Sequence, residues 1–438
     1  MSKKKEEKEE KAKVSSALIS CMRHAEQKNG KEGEYVTPNY EEVVMGVPIN
    51  NLALMYLIDS NVLPVSKIIK VAGPTGSNKS ALGFDLMRML MHPDGYCHYI
   101  ENEGGKWSPL LVKSIVGDET MKRFHMNQAT DSSEAMKIIT SDIKFIQKGE
   151  SGGKVVGLLL DSLAGSNTEK ATEKMYSSGE ATRGYSELAL LWTNYFQTIL
   201  SPGMVGLPMG FVFINHLKDK TDDMGNKSHG SPGGVAQDFY SGIIIWTNAM
   251  NTTPVERVKW EIMGKDGPED IVRPHFIRTI RLSCVKTSFG TGSHRINVDF
   301  IWWFDEAGVQ RSIFDWDASA ANLVLSCQGN YGNLLTGGYA KLEDICEVTE
   351  TQKRFSCKRL SMKGVSAHLL GEAIHADAQL MKELQFFLHI KQHKAWHGKL
   401  PTPPKPKEEV PVPPQPQDEQ AMEKELTKKK RRSNEVDV

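Results

Sequence analysis

The chain of 438 residues has no surplus of either charge, with lysine plus arginine and aspartate plus glutamate at 54 each. That balance excludes a globally basic surface, so any polyanionic partner must be met by local patches. Long hydrophobic runs are also missing. No apolar stretch approaches the ~18 residues that a membrane helix needs, and the charged start Met1-Ser-Lys-Lys-Lys-Glu lacks the apolar segment of a signal peptide. These absences lead to the expectation of a soluble, cytoplasmic protein. Cysteine is sparse: Cys21, Cys97, Cys284, Cys327, Cys346 and Cys357 are scattered, with no Cys-x-x-Cys pair and no histidine at ligand spacing. A zinc ribbon is thereby excluded, and the expectation is six reduced thiols. No internal repeat is visible.

The two ends have little to bury. Residues 1–35 form a charged N-terminal segment. Pro401 to Pro416 holds eight prolines in sixteen residues and precedes a basic tip, Lys428 to Arg432. Residues 399–438 therefore read as an extended, disordered tail. Between the ends, Lys67 to Ala72, Tyr96 to Ile100, Val155 to Leu160, Phe211 to Ile214 and Gly242 to Trp246 are short, nearly continuous apolar runs, as expected of buried strands. Helix-length periodic stretches separate the first four: Ser80 to Met91, Asp131 to Gln147, which opens with an N-cap and an acid three positions on, and Glu187 to Leu200. Alternating strands and helices predict an α/β core, a mostly parallel sheet with helices on both faces, over residues 36–316. Val258 to Met263, Phe276 to Thr287 and His294 to Phe304 lack intervening helices and are expected to add antiparallel strands at one edge. Residues 317–398 read as a small helical C-terminal domain with a glycine-rich patch at 329–338.

The chemistry-bearing residues cluster at the ends of the predicted strands. Gly73, Pro74, Thr75, Gly76, Ser77, Asn78, Lys79 and Ser80 follow a strand and open a helix, the context of a phosphate-binding loop. Backbone N–H groups and the helix N-terminus suit a phosphate, Lys79 would reach its oxygens, and the Ser80 hydroxyl would ligate Mg²⁺. Asn78 stands where the pattern has glycine, and asparagine is among the residues that best tolerate a left-handed backbone. The next strand leads to Glu101 and Glu103, at the carboxyl edge where parallel sheets place ligands. Glu103 is the candidate to orient and deprotonate a water, with Glu101 in reserve. Val155 to Asp161 is an apolar strand ending in aspartate, so Asp161 is the second candidate in the Mg²⁺ shell. Asn215 and His216 end the fourth strand and are candidate sensors of a terminal phosphate.

After Leu217, a polar stretch with lysines and glycines runs to Gly233 and Gly234. It suits backbone and side-chain contacts to a phosphate chain through Lys218, Lys220 and Lys227, with Met224 able to wedge between bases. A second small-residue loop, Ser177 to Gly184, carries Arg183 at the same edge.

Together these residues resemble the RecA recombinase superfamily over roughly Val47 to Gly308, and within it the recombinases of T4-type bacteriophages. The pieces carrying the resemblance are Leu63-Pro-Val-Ser-Lys-Ile-Ile-Lys-Val-Ala-Gly-Pro, the Glu103 strand, Asp161-Ser162, Phe213-Ile-Asn-His216 and Gly233-Gly-Val-Ala-Gln-Asp-Phe-Tyr240. The resemblance implies a DNA-dependent ATPase using ATP and Mg²⁺, with Glu103 activating water and His216 coupling the terminal phosphate to two DNA-binding loops. It implies single-stranded and double-stranded DNA as partners and a helical homo-oligomer. It leaves room for a mediator and a single-strand-binding protein, and for a host-cell cytoplasm if the source is viral. A neighbouring subunit would complete each ATP site, and Lys286 is the candidate for that basic residue. Asp238 stands where RecA has lysine, so a two-lysine arrangement is not expected. Two other readings stay open. One is a hexameric replicative helicase of the same fold, although the segment before the core is short for the helical domain such helicases carry. The other is a nucleotide-binding regulatory protein without catalysis.

Overall fold

The computed structural model describes residues 46–104, 108–163, 185–221, 227–230, 234–250, 260–264, 267–271, 275–290, 293–305, 307–328 and 341–393. Arg183, Met224, Gly233, the 177–184 loop, the 329–338 patch and both end segments lie outside these residues. For Lys218, Lys220 and Lys227 the backbone alone is described.

The chain begins with β1 (Gly46–Pro48) and β2 (Val62–Pro64), an antiparallel pair around helix α1 (Leu52–Ile58). There follow β3 (Ile68–Gly73), α2 (Lys79–Leu90), β4 (Tyr96–Glu101), α3 (Pro109–Val116), α4 (Asp118–Met121), β5 (Phe124–Gln128), α5 (Ser132–Gln147), β6 (Val156–Asp161), α6 (Tyr185–Tyr195), α7 (Ser201–Met204) and β7 (Met209–His216). Next come β8 (Lys218–Thr221), β9 (Lys227–Gly230), α8 (Ala236–Tyr240), β10 (Ser241–Ala249), β11 (Trp260–Gly264), β12 (Gly267–Ile271), β13 (His275–Thr287), β14 (Arg295–Phe304) and β15 (Gln310–Asp315). The last part holds α9 (Trp316–Cys327), α10 (Leu342–Cys346), β16 (Val348–Thr351), β17 (Arg354–Cys357), β18 (Met362–Val365), α11 (Ala367–Ala376) and α12 (Ala378–Phe387).

Nine strands make one sheet in the order β15-β14-β13-β10-β3-β7-β6-β4-β5. From β10 to β5 every neighbouring pair is parallel, and β13, β14 and β15 add antiparallel strands at one end. This is the mostly parallel α/β core that the alternating pattern predicts, and it is consistent with the RecA-like core that the resemblance implies. Strand period sorts the side chains between two cores. Leu158, Leu160, Phe211 and Phe213 join one cluster with Met136, Ile139 and Ile143 of α5 and Trp192 of α6. Leu159, Val212 and Ile214 join the other with Leu82, Leu86 and Leu90 of α2. Burial on both faces explains why these strands read as unbroken apolar runs. At the start of α5 the Asp131 carboxylate accepts the Glu134 N–H at 2.9 Å, and Glu134 in turn accepts from the Thr130 N–H and hydroxyl at 2.7 Å, fixing the helix start as the sequence predicts.

Several elements differ from expectation. Of the segment expected as a strand over 258–263, the described part does not extend the main sheet: Trp260–Gly264 pairs with Gly267–Ile271 as a separate two-stranded sheet. The 187–200 helix ends in a π turn over Phe196–Leu200. The edge strand β5 buries only Phe124, so it carries no apolar run to reveal it. The C-terminal part adds a three-stranded antiparallel sheet, β16-β17-β18, to its helices. Its buried residues, including Leu323, Leu369 and Leu384, belong to the same hydrophobic cluster as α2. No helix among the described residues is long and apolar enough to cross a membrane.

A charged latch joins α1, α9 and α11. His368 Nδ1 lies 2.9 Å from Asp315 Oδ1, and its Nε2 lies 3.4 Å from Glu372. His375 Nδ1 donates to Asp317 at 2.5 Å, and its Nε2 accepts the Leu52 N–H at 3.1 Å. Burial opposes a charge on His368, but hydrogen bonding to Asp315 and the fields of Asp315, Glu372 and Asp317 outweigh it and raise its pKa. A raised histidine pKa stabilises the fold fully below the unfolded value near 6.5, and the contribution disappears as pH rises through the folded value. Urea unfolding should therefore show stability falling from pH 6 towards pH 9, and His368→Gln should flatten that slope.

Candidate active site

The carboxyl edge of the parallel strands gathers the predicted residues. Gly73 ends β3, and a Cβ there would stand 2.4 Å from both the carbonyl and the hydroxyl oxygen of Thr247 on β10, so only glycine fits. The chain then turns with Gly76 at φ +78° and Asn78 at φ 59° and ψ 29°, a left-handed conformation at the position where the motif has glycine. Asparagine thus takes over the glycine geometry. The Ser77 hydroxyl donates to the Pro74 carbonyl at 2.8 Å and meets Thr247 Oγ1 at 2.7 Å, which braces the loop. Lys79 Nζ donates to the Pro74 carbonyl at 2.7 Å, and the Ser80 hydroxyl donates to Asp161 Oδ2 at 2.5 Å.

The ladder between β4 and β6 sets Glu101 opposite Asp161. Glu101 is buried, and its carboxylate accepts the Glu103 N–H at 3.1 Å. It therefore shapes the turn, while Glu103 faces the other polar groups. Glu103 Oε1 accepts from the Ser162 hydroxyl and lies 3.2 Å from His216 Nε2. Between the two acids, the buried Asn102 amide has neither its nitrogen nor its oxygen satisfied.

From His216 a hydrogen-bonded path leads away from the acid. Asn215 Oδ1 accepts the His216 N–H at 2.8 Å, and Asn215 Nδ2 donates to Gln237 Oε1 at 2.6 Å. Gln237 Nε2 then donates to the Gly234 carbonyl at 2.8 Å. Asn215 and Gln237 are fully buried, and Gly234, at φ +82°, ends the polar segment that begins with the β8–β9 hairpin.

Two contacts were not legible in the motifs. Arg278 of β13 donates through Nη1 to the Gly76 carbonyl at 2.9 Å and to Asn78 Oδ1 at 3.0 Å, so a distant strand holds the loop tip at the atypical residue. Gln237 sits within the quoted Gly233-to-Tyr240 segment, but its partner is 22 positions away. Lys286 is not brought to the phosphate loop of its own chain. It donates to the carbonyls of Asp238 and Phe239 at 2.6 and 2.8 Å, at the end of α8. Desolvation lowers its pKa against the field of Asp238.

The donor set fits a magnesium nucleotide. The loop is compressed to glycine at Gly73, open above Gly76, where an added Cβ meets nothing within 4 Å, and followed by a helix N-terminus, whose amides point the way that suits an anion. A hydroxyl–carboxylate pair at Ser80 and Asp161 supplies hard oxygen donors of the kind Mg²⁺ prefers, and Asn102, whose side-chain amide is orphaned, donates its backbone N–H to the Asp161 carbonyl at 3.1 Å.

Fold and site define a RecA-like α/β core with a phosphate-loop turn at its carboxyl edge. No family profile matches the chain. It is similar to Protein RecA of Cutibacterium acnes, 21% identical over 238 residues that cover 54% of this chain and 64% of that protein. It is similar also to Protein RecA of Acholeplasma laidlawii, 20% identical over 254 residues covering 58% and 71% of the two chains. The chain is thus distantly similar to RecA proteins, and it spans just under two thirds of the length of the first of them.

Replacing Gln237 by leucine removes its hydrogen bonds to the buried Asn215 amide and to the Gly234 carbonyl. We expect a loss of about 1–3 kcal/mol in urea unfolding, the range for removing one partner of a buried hydrogen bond.

Proposed function

We propose that the chain is an ATP-dependent recombinase of the T4-type phage branch, which forms helical filaments on single-stranded DNA and pairs that strand with homologous duplex. The observation that carries this reading is the meeting of Lys79, Ser80, Asp161, Glu103 and His216 at one sheet edge, with a buried path from His216 to the base of the polar loop. Distant likeness to RecA proteins supports the class, and Asn78 and His216 are the departures that suit the phage branch.

In the proposed mechanism Lys79 gives its ammonium to phosphate oxygens, while the loop amides hold the phosphate chain. Bound Mg²⁺ supplies charge neutralisation for the transferred phosphoryl group. Ser80 and Asp161, already joined by a hydrogen bond, would hold the ion. Glu103 orients the attacking water and takes its proton; the Ser162 hydroxyl and His216 fix the carboxylate. His216 registers the state of the site, and Asn215 and Gln237 pass any shift of that residue to Gly234. The loop residues Lys218, Lys220, Lys227, Met224, Gly233 and Gly234, together with Arg183, contact DNA largely through its backbone. Base pairing supplies sequence specificity. Lys286 of one subunit completes the ATP site of the next, which makes the oligomer necessary for turnover.

The test is ATP hydrolysis with and without single-stranded DNA, combined with electron microscopy of the same mixtures. Expected are DNA-stimulated turnover and ATP-dependent helical filaments, both lost in Lys79→Ala. Glu103→Gln should retain filaments but lower kcat by roughly 10²–10⁴-fold, as for loss of a general base. In Gln237→Leu basal turnover should persist while stimulation by DNA weakens. Closed rings would overturn the filament in favour of a helicase, and the absence of DNA-dependent hydrolysis would overturn the recombinase.

A further inference from the structure

Away from the proposed ATP and DNA residues, two thiols lie against each other in the C-terminal part. Cys346 ends α10 and Cys357 ends β17, eleven positions apart along the chain, with their sulfurs 3.4 Å from one another and both side chains buried. Cys97, Cys284 and Cys327 are also free and buried, but among the described residues no other two sulfurs make such a contact. The fold enforces this one. Val348, opposite Cys357 in the β16–β17 ladder, is clamped to Gln328 by two hydrogen bonds of 2.6 and 2.8 Å.

The surroundings of the two sulfurs differ. The Cys346 thiol donates to Cys357, the amides of Leu360 and Arg359 add to that stabilisation, and the Arg359 guanidinium lends positive charge, so Cys357 is held below the usual thiol range. Arg359 is itself fixed, donating to the Ile345 carbonyl at 3.0 Å and to Glu383 at 2.6 Å. Sharing its proton with Cys357, together with burial, pushes Cys346 up. Cys357 is itself fully buried, so its reaction with a reagent needs a local opening of the chain around it. The exposed residues Lys358 and Arg359 follow it directly, and the β17–β18 ladder has an irregularity between Phe355 and Cys357.

We propose that Cys346 and Cys357 form a redox-active dithiol that reacts with a low-molecular-weight disulfide, such as oxidised glutathione, to give an internal Cys346–Cys357 disulfide. Cys357, as thiolate, attacks one glutathione sulfur; the glutathione S–S bond breaks and the first glutathione leaves as thiolate, later protonated by water. The Cys346 thiol then loses its proton to solvent and attacks the Cys357 sulfur of the mixed disulfide, releasing the second glutathione. Two electrons pass from the protein dithiol to the reagent, and two glutathione thiols are produced. The thiolate is the nucleophile in both steps, so the lower-pKa cysteine leads. The sulfurs must close from 3.4 Å to about 2.05 Å, a movement within reach of side-chain rotation and a small backbone adjustment. The product ties α10 to β17. It leaves the carboxyl edge of the main sheet untouched, so the inference stands independently of the proposed recombinase function.

The experiment treats the full-length protein near pH 7 with oxidised glutathione, quenches with acid, alkylates the remaining thiols under denaturing conditions and maps non-reduced peptides by mass spectrometry. The expected result is a linked Cys346–Cys357 peptide that dithiothreitol removes, with both cysteines losing their alkylation marks. Cys346→Ser should stop at a glutathione adduct on Cys357, whereas Cys357→Ser should leave Cys346 unmodified. The wild-type map decides the question even if a variant fails to fold. Recovery of both peptides fully alkylated, or glutathione settling on other cysteines while this pair stays free, would overturn the proposal.

Discussion

The parallel ladder through β3, β7, β6 and β4 is the constraint on which the candidate site depends. Parallel strands all present their carboxyl ends at one edge, so side chains separated by long stretches of sequence arrive together without a dedicated loop to carry them. Gly73 lies beside His216 in the β3–β7 register, and Asp161 lies beside Glu101 in the β4–β6 register. Backbone hydrogen bonding thus sets the spacing between the Gly73–Ser80 loop, the two acids, and Asn215 and His216. The side chains add only the last contacts, Ser80 to Asp161 and Glu103 to Ser162 and His216. An error of one residue in any of these registers would turn the polar side chain into one of the two apolar cores.

Burial of polar groups gives the rest of the site its rigidity. The Asn215–Gln237 pair is sealed from water, where hydrogen bonds are individually stronger and an orphaned partner is costly. Lys70 extends this principle towards the middle of β3. It is 1% exposed and pairs at 2.5 Å with Asp238, while Lys286 binds the carbonyl of the same residue. Desolvation pulls the Lys70 pKa down, and the hydrogen bond and field of Asp238 pull it up. Buried pairs of this kind contribute little net stability but are expensive to break from one side. The short helix α8 is consequently anchored by Gln237 and Asp238 at once, one contact towards Asn215 on β7 and the other towards Lys70 on β3. The aspartate that removes a second lysine from this region has its own structural use.

Legibility in the sequence followed the range of the interaction. The buried strands declared themselves because both faces are covered, and β3, β4, β6, β7 and β10 lie within a few residues of their apolar runs. The turn from Gly73 to Ser80 was readable because it is local, set by glycines and by an asparagine able to occupy φ 59°. Asp131 was readable as a cap for the same reason. Elements with weak local signals were missed: β5 buries one side chain, and the strand Trp260–Gly264 has the composition of an edge strand but a different partner.

By itself the sequence determined the alternation of strands and helices, the loop from Gly73 to Ser80 and the set of polar residues that end the strands. Those features depend on backbone preference and hydrophobic period, which act over a few residues. The tertiary structure alone decided that Arg278 grips Gly76 and Asn78, that Gln237 links Asn215 to Gly234, and that Cys346 meets Cys357. The first of these contacts spans 202 positions of chain. No local rule encodes such pairs, because their geometry follows from strand order, register and the packing of the C-terminal helices against the same core.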